Sequence, residues 1–206
     1  MSLWTPTASL GSGQFAIPPV PVRRWSVDEY HAMLRAGILN EEDPIELLDG
    51  WLVSKMTKNP PHRIATRRVR KALERVVPAG WYVDSQEPIT LPSSEPEPDG
   101  MVIRGDSADY ADRHPPAEAV AQVVEVADAT LEFDRTVKKA IYAGAGIPAY
   151  WILNLTDGRL EVYSGPTGEA GCPDYRDHRE YLPADEVPLL VDGIEAARIP
   201  VNEFLG

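Results

Sequence analysis

The sequence predicts an α/β fold of the α+β kind, in which a mixed β-sheet is flanked by helices and extended by added hairpins. Two observations support this prediction. Strand-like runs and helical patterns follow one another in the order helix, strands, helix, strands, which is typical of a mixed sheet with covering helices rather than of a bundle or a barrel. In addition, Asp49-Gly50 and Thr156-Asp157-Gly158 separate pairs of strand-like runs, as tight hairpin turns do.

The composition sets the expected number of domains and limits the expected partners. The 206 residues are 43% hydrophobic, which is enough for one packed core. We therefore expect a single domain over 24–206, preceded by an arm at 1–23 that is rich in Pro, Gly, Ser and Thr. The net charge of −12 argues against a surface that coats nucleic acid broadly, because phosphate affinity comes largely from lysine and arginine. Any DNA contact is expected to be local.

The sequence also indicates where the protein works. No apolar run approaches the roughly 18 residues of a membrane span, and the first residues have no basic region leading into an apolar core. The single cysteine, Cys172, excludes an internal disulfide and any zinc site built from cysteines, as fits a reducing compartment. We expect a cytoplasmic protein without membrane contact.

The N-terminal half contains two helical patterns and one hairpin. Ser26 and Glu29 form a capping box for a short helix that Gly37 can end. The stretch "PIELLDGWLVSKM" predicts two strands joined by a type I′ turn. The segment 62–77, "HRIATRRVRKALERVV", has apolar residues at helical spacing and basic residues on another side. This second helix is therefore expected to be basic.

Strand-like runs dominate the C-terminal half. A helix is predicted over 135–144, and a hairpin over "AYWILNL" and "RLEVYSG". The tail at 182–206 holds short strand-like pieces that the pattern does not place. The preceding strand candidates, separated by proline-rich punctuation, are 81–84, 86–91, 99–103 and 119–127.

Glu125 interrupts the apolar run "AVAQVVEVA". Side chains alternate along a strand, so Glu125 shares one side with Val123 and Ala127. A carboxylate in such a strand is costly unless it has a partner. The partner is either an arginine in a structural ion pair or a metal ion shared with a second carboxylate.

Asp99 in "EPEPDGMVI" can supply the second carboxylate, and Lys138 can supply an ammonium from the following helix. Hard oxygen ligands of this kind suit Mg²⁺ or Mn²⁺, and the combination is typical of nuclease chemistry. Each residue has a simpler interpretation as well. Pro-Asp-Gly is common in turns, and Lys138 and Lys139 fit an exposed helix face, where Asp134 lies four residues before Lys138.

These segments resemble the Uma-two family of restriction-endonuclease-like proteins, within the PD-(D/E)XK nuclease superfamily. The resemblance rests on "PDGMVI", "VVEVADATLEFDRTVKKAIYAGAGIPAYWILNL" and "IELLDGWLVSKMTKNPPHRIA", and it covers about 25–204. It implies a restriction-endonuclease-like core with the active site at one edge of the sheet. It also implies a homodimer, because this fold often pairs to cut two strands.

The resemblance assigns roles to individual residues. Asp99 matches the Pro-Asp aspartate and Glu125 the acidic residue of the next motif. The superfamily's lysine would fall at Ala127, so the family places it on the following helix, where Lys138 fits better than Lys139. The usual Ser-Pro after the strand is replaced by Asp128 and Ala129, so Asp128 is either an added ligand or a helix cap.

Four further residues match recurrent positions or lie on the basic helix. Glu46 is expected either as a third metal-binding carboxylate or as a structural hydrogen-bonding group. His62 is expected to contact nucleic acid, or else to cap or pack the helix. Arg67 and Lys71 are expected to bind phosphates, or else to pair with surface acids.

The resulting hypothesis is a Mg²⁺-dependent endonuclease acting on DNA, in which Asp99 and Glu125 hold the metal and Lys138 assists water. One alternative is a catalytically inactive module of the same fold that binds nucleic acid or another partner. Another is a hydrolase of a smaller phosphoester that uses the same site.

Overall fold

The structure, a computed structural model, describes residues 22–40, 42–56, 58–168 and 171–206. The predicted arm at 1–23 lies almost wholly outside the described residues. None of the described helices is long and apolar enough to cross a membrane. The α-helices are α1 (Val27–Arg35), α2 (Pro60–Glu74), α3 (Leu131–Phe133), α4 (Lys139–Gly144) and α5 (Asn202–Leu205).

A six-stranded mixed sheet forms the centre of the molecule, in the order β3-β4-β5-β6-β7-β8. Within it β5 and β6 are parallel, and the other neighbours are antiparallel. Two further antiparallel hairpins, β1-β2 and β9-β10, stand outside this sheet. This confirms the predicted fold class. The strands are β1 (Ile45–Leu48), β2 (Trp51–Ser54), β3 (Trp81–Asp84), β4 (Gly100–Arg104), β5 (Val120–Ala127), β6 (Ala149–Asn154), β7 (Arg159–Pro166), β8 (Tyr175–Tyr181), β9 (Glu186–Val191) and β10 (Ile194–Pro200).

The middle strands of the central sheet, β5 and β6, are buried on both faces because different elements cover them. On one face Val124 and Trp151 pack with residues of α2, α5 and the β9-β10 hairpin. On the other face Val123 and Ile152 pack with Tyr142 of α4. All eight residues of β5 are buried, so each side chain of this strand faces protein, as expected for a central strand covered on both sides.

Helix α2 approaches the sheet closely at Gly100, the first residue of β4. A Cβ at Gly100 would lie 3.2 Å from Val69 Cγ1 of α2, which is tighter than ordinary van der Waals contact. Glycine at this position lets the helix lie against β4 immediately beside Asp99. His62, in the first turn of α2, reaches that carboxylate.

Local sequence signals define several of these elements. Ser26 and Glu29 form the predicted capping box of α1. Asp49 and Gly50 have φ of 47° and 76°, which is the left-handed conformation that a type I′ turn requires. Helix α2 begins at Pro60, two residues before the predicted start, because Asn59 is the N-cap and proline suits the first turn.

The strand prediction for 86–91 was wrong. In this segment only Thr90 makes a bridge, to Pro116, and Gln86 has a φ of 62°. A positive φ is incompatible with extended pairing, and Pro88 lacks the amide hydrogen that a ladder needs. Strand β8 was not predicted, and the unplaced tail forms the β9-β10 hairpin and α5.

Candidate active site

Asp99 and Glu125 are brought together by the pairing of β4 with β5. Gly100 lies opposite Val124 in this antiparallel pair, so continuing the register by one residue places Asp99 opposite Glu125. Both side chains line one cavity and both are buried, with exposed fractions of 4% and 6%. The two carboxylates therefore share one side of the sheet edge.

The Asp99 carboxylate is held by three groups. The backbone N–H of Val126 donates to Asp99 Oδ2 over 3.0 Å, His62 Nε2 lies 3.0 Å from the same oxygen, and Lys58 Nζ lies 3.9 Å from Oδ1. Burial by itself would raise the pKa of Asp99, but the hydrogen bond and charge of His62 lower it below its ordinary value. Asp99 is therefore kept ionised.

Glu125 has fewer donors. The hydroxyl of Tyr142 donates to Glu125 Oε1 over 2.6 Å, and Lys138 Nζ lies 3.2 Å from the same oxygen. Burial raises the pKa of Glu125 to about 7, and the charge of Lys138 offsets this only in part, while the charge of Asp99 raises the pKa further. Near neutral pH this carboxyl is close to its midpoint of titration.

Lys138 reaches the carboxylates from a π-helical turn, Asp134–Lys138, that lies between α3 and α4. Its Nζ lies 3.1 Å from Glu46 Oε2 as well as beside Glu125. Burial by itself would lower the pKa of Lys138, but the charges of Glu125 and Glu46 raise it above its ordinary value. The lysine is therefore cationic. Lys139 points elsewhere and pairs with Asp174 at 2.8 Å.

Glu46 joins the cluster from β1, outside the central sheet. Its Oε2 accepts hydrogen bonds from Lys138 Nζ and, over 3.3 Å, from the backbone N–H of Glu97. Glu46 is buried, with an exposed fraction of 6%. The β1-β2 hairpin thus contributes an acidic side chain to a site otherwise built from β4, β5 and the π-helical turn.

The cavity between these elements has a volume of about 150 Å³. Among the described residues that line it, six carboxylates face three lysines and one histidine. This excess of negative charge, in a place where burial disfavours ionised carboxyls, favours a bound cation. Carboxylate oxygens are also the ligands that Mg²⁺ and Mn²⁺ prefer. By donor chemistry and charge, Asp99, Glu125 and Glu46 fit a divalent metal.

The three carboxylates are not arranged as metal ligands in the structure. Within the described ranges, no group of three or more His, Cys, Asp or Glu side chains is gathered closely enough to hold an ion. The ammonium of Lys138 instead bridges Glu46 and Glu125. Metal binding would therefore require these side chains to rearrange.

Two residues near the site were missed: Asp134, which lines the cavity, and Tyr142, which bonds to Glu125 without lining it. Asp134, interpreted from its spacing as a surface partner of Lys138, is 4% exposed and accepts a hydrogen bond from Thr130 Oγ1 over 2.6 Å. Burial raises the pKa of Asp134, and the charge of Glu125 raises it further. Tyr142, the hydrogen-bond donor to Glu125, lies four residues after Lys138. In the sequence, only this spacing of about one helical turn could have indicated that the tyrosine lies beside Lys138.

Asp128 lines the cavity but is also tied to α2. Its carboxylate accepts a hydrogen bond of 2.5 Å from Asn59 Nδ2. Since Asn59 is the N-cap of α2, this contact joins the end of β5 to the beginning of that helix. Asp128 itself caps no helix in the structure.

The three basic-helix residues separate into two groups. His62 lies against Asp99, and its side chain is 13% exposed. It is not the cap of α2, which is Asn59. Arg67 and Lys71 are exposed on α2 and do not line the cavity. Neither has an ion pair within the described part of the chain, so the predicted pairing with surface acids is not seen there.

A second buried glutamate lies on the same face of the sheet. Glu161 of β7 accepts two hydrogen bonds from Arg135, at 2.9 and 2.6 Å. It also accepts one from Asn154 Nδ2 at 2.9 Å and one from the Tyr163 hydroxyl at 3.0 Å. Burial by itself would raise the pKa of Glu161, but the bonds from Arg135 and Asn154 lower it. We name these four residues the Glu161 cluster.

The mixed sheet, its flanking helices and the carboxylate-lined cavity agree with the restriction-endonuclease-like core that the sequence predicts. Residues 27–202 match the Uma2 family model, described as "Putative restriction endonuclease". The chain therefore belongs to the Uma2 family. Membership supports a nuclease-like function.

A solved structure supports the same fold. The chain is similar to the crystal structure of "a putative nuclease belonging to DUF820" from Anabaena variabilis ATCC 29413, with a TM-score of 0.64 and 14% sequence identity. The similarity covers 90% of this chain and 98% of the other. A comparison with curated proteins found no match.

Proposed function

We propose that the protein is a metal-dependent endonuclease that hydrolyses phosphodiester bonds in DNA. The observation that supports this most strongly is the convergence of Asp99, Glu125 and Lys138 on one cavity, from two paired strands and a helical turn. Asp99, Glu125 and Glu46 would hold Mg²⁺ or Mn²⁺. When bound, such an ion lowers the pKa of a coordinated water and neutralises charge that develops on the phosphate.

The residues of the chain have distinct roles in this proposal. Asp99 is held ionised by His62, so it is ready to bind a cation without losing a proton. Glu125 has a pKa of about 7 and would release its proton as the cation arrives. Lys138 is cationic, so it is suited to orient the attacking water and to stabilise negative charge rather than to accept a proton.

The size of the cavity favours a polymer substrate over a small phosphoester. Its volume of about 150 Å³ is below the roughly 300 to 1,000 Å³ of pockets that enclose a whole small molecule. One phosphodiester group of a longer strand would enter, while the rest lies outside. Arg67 and Lys71, exposed on α2, would bind neighbouring phosphates. We further propose that two copies of the chain form a homodimer, in which each copy cuts one strand of the DNA.

The alternative is a catalytically inactive module of the same fold that binds nucleic acid. The observation that favours it is the contact of Lys138 with both Glu46 and Glu125. An internal ion pair of this kind satisfies the charges of the three side chains without a bound metal. Ala127 stands where the superfamily's lysine would fall. Both hypotheses predict DNA binding, and only the first predicts cleavage.

Cleavage of plasmid and single-stranded DNA with Mg²⁺ or Mn²⁺ tests the proposal. We expect Glu125→Gln and Lys138→Ala each to reduce the cleavage rate on the order of a hundredfold or more, because both act on the reacting groups. Lys139→Ala is the matched control, since its ammonium pairs with Asp174 outside the cavity. DNA binding without cleavage under either metal would favour the inactive module.

The basic residues of α2 provide the complementary test of binding. Arg67→Ala combined with Lys71→Ala should weaken DNA affinity and reduce the slope of log K against log salt by about one for each phosphate that is no longer bound. Lys138→Ala should leave that slope unchanged. Equal salt slopes in the double variant and the wild type would place the DNA on another surface.

A further inference from the structure

Gln122 of β5 is a buried polar side chain whose amide has no partner. It is 0% exposed, and among the described residues neither its Nε2 nor its Oε1 makes a hydrogen bond. A buried amide without partners is costly, and native structures contain few of them. Gln122 lies three residues before Glu125, so it points to the opposite face of the sheet. The nuclease-like cavity does not use it.

Gln122 forms the inner end of a groove on that face. The strand register places it opposite Ala149 of β6, Ala149 opposite Ser164 of β7, and Ser164 opposite Asp177 of β8. These four side chains form one row across the sheet. The row is the floor of a groove with a volume of about 520 Å³, within the range of small-molecule sites.

The groove has apolar walls and a charged mouth. Trp151 of β6, Val162 of β7 and Leu190 of β9 line it with apolar side chains. Asp177 and Arg179 are exposed at the outer end. Leu190 is itself 40% exposed. Because Gln122 is 0% exposed, a ligand must displace a lining side chain to reach its amide.

The polar groups of the groove indicate the chemistry of a ligand. The carboxamide of Gln122 presents a donor and an acceptor side by side, which complement an acceptor and a donor on the ligand. Its surroundings are apolar, so an uncharged ligand end is favoured there because a charge would be costly to bury. Nucleobases and carboxamides have such an edge, and glutamine pairs with adenine in this bidentate way.

We propose that this groove is a second binding site, separate from the nuclease-like cavity, for a small molecule with an uncharged donor–acceptor edge of the nucleobase or carboxamide type. The edge pairs with Gln122, and the rest of the molecule extends along Ala149 and Ser164 toward the charged mouth. The site requires neither a metal nor nuclease activity, so its test does not depend on the proposed reaction.

Chemical-shift perturbation of the ¹⁵N-labelled full chain tests the proposal, with adenosine and nicotinamide as separate probes. We expect at least one probe to move the side-chain NH₂ signal of Gln122 and the backbone signals of Ala149 and Ser164. The side-chain NH₂ signal of Gln86 is an internal reference, because Gln86 is exposed and outside the groove. Response to adenosine alone assigns a nucleobase ligand, and response to nicotinamide alone assigns a simple carboxamide.

Gln122→Met keeps the length of the side chain and removes both hydrogen-bonding groups. It should weaken binding of the responding probe about tenfold or more, as expected when a bidentate amide pair is removed. Gln86→Met is the matched control and should leave the affinity unchanged. The proposal is overturned if neither probe moves the groove signals, which would mean that solvent alone satisfies Gln122. It is also overturned if Gln122→Met binds as tightly as the wild type.

Discussion

Two buried glutamates of the central sheet lie in one row and have opposite properties. Glu125 of β5 is opposite Ile152 of β6, and Ile152 is opposite Glu161 of β7. Their exposed fractions are 6% and 0%. Glu161 accepts four hydrogen bonds, and its pKa is lowered. Glu125 is next to one hydroxyl and one ammonium, and its pKa is raised to about 7.

The difference shows that burial of a carboxylate in a strand does not by itself identify a reactive group. Both side chains have almost no solvent exposure. Burial and the charges of Asp99 and Glu46 oppose ionisation of Glu125, whereas the four donors around Glu161 favour its ionised form. A fully bonded carboxylate such as Glu161 holds elements together. An incompletely bonded one such as Glu125 retains capacity for another cation, which the proposed metal site requires.

The same helical turn supplies a cation to each glutamate. Arg135 and Lys138 both belong to the π-helical turn Asp134–Lys138, and they reach Glu161 and Glu125 respectively. The bidentate pair of Arg135 with Glu161 fixes the turn in place. The position of Lys138 therefore depends on the Glu161 cluster, although that cluster does not line the cavity.

The largest expected difference between the two glutamates is in stability. Glu161→Gln should lower the free energy of unfolding by about 3 kcal/mol, because it places an amide donor among Arg135, Asn154 and Tyr163 and removes a charged acceptor. Glu125→Gln should be neutral or stabilising, since it removes a charge that burial disfavours. Urea unfolding of both variants measures this, and equal losses of stability would contradict the comparison.

A smaller effect is expected from metal binding. Mg²⁺ or Mn²⁺ at a hundred times its Kd should stabilise the wild type by about 2.7 kcal/mol, because it binds only the folded state. Glu125→Gln should lose most of this stabilisation, whereas Glu161→Gln should keep it. Thermal unfolding with and without metal gives the answer. If the metal still raises the Tm of Glu125→Gln as much as that of the wild type, the ion binds elsewhere.

A further difference is expected in the pH dependence of stability, which should have opposite sign for the two glutamates. The folded-state pKa of Glu125 is raised from 4.5 to about 7, so the folded state binds more protons, and this residue reduces stability as pH rises across that interval. The pKa of Glu161 is lowered, so its contribution is present above the unfolded value of 4.5 and is lost as pH falls through the folded value.

Unfolding free energies from about pH 3 to pH 8 for the wild type and each glutamine variant separate these contributions, because Glu161 titrates below its unfolded value of 4.5 and Glu125 between 4.5 and about 7. Relative to the wild type, Glu125→Gln should gain stability as pH rises, and Glu161→Gln should lose it. The same slope in both variants would show that neither glutamate titrates as its surroundings indicate.

The sequence predicts those parts of the fold that local chemistry determines. The capping box of α1 and the left-handed turn at Asp49-Gly50 appear where expected because each depends on residues next to it. Strand β8, "YRDHREY", was not predicted because its five central residues are exposed, so no apolar alternation marks it. Its place is decided by pairing with β7, which sequence spacing does not show.

The candidate site, like the fold, could be predicted from the sequence only in part. An acid in an apolar strand signals a required partner, and Glu125 was recognised for that reason. The burial of Asp134 could not be recognised, because four-residue spacing to Lys138 also describes an exposed helical pair. The π-helical turn that buries it has no sequence period of its own, and it depends on tertiary contacts such as that of Arg135.

The ammonium of Lys138 reaches Glu46 and Glu125 from the π-helical turn rather than from β5 itself. With the ammonium supplied by Lys138, position 127 is released from any chemical duty, and Ala127 fills the core there at 0% exposure. Charges that lie far apart along the chain, on β1, β5 and the π-helical turn, thus meet at one point in space.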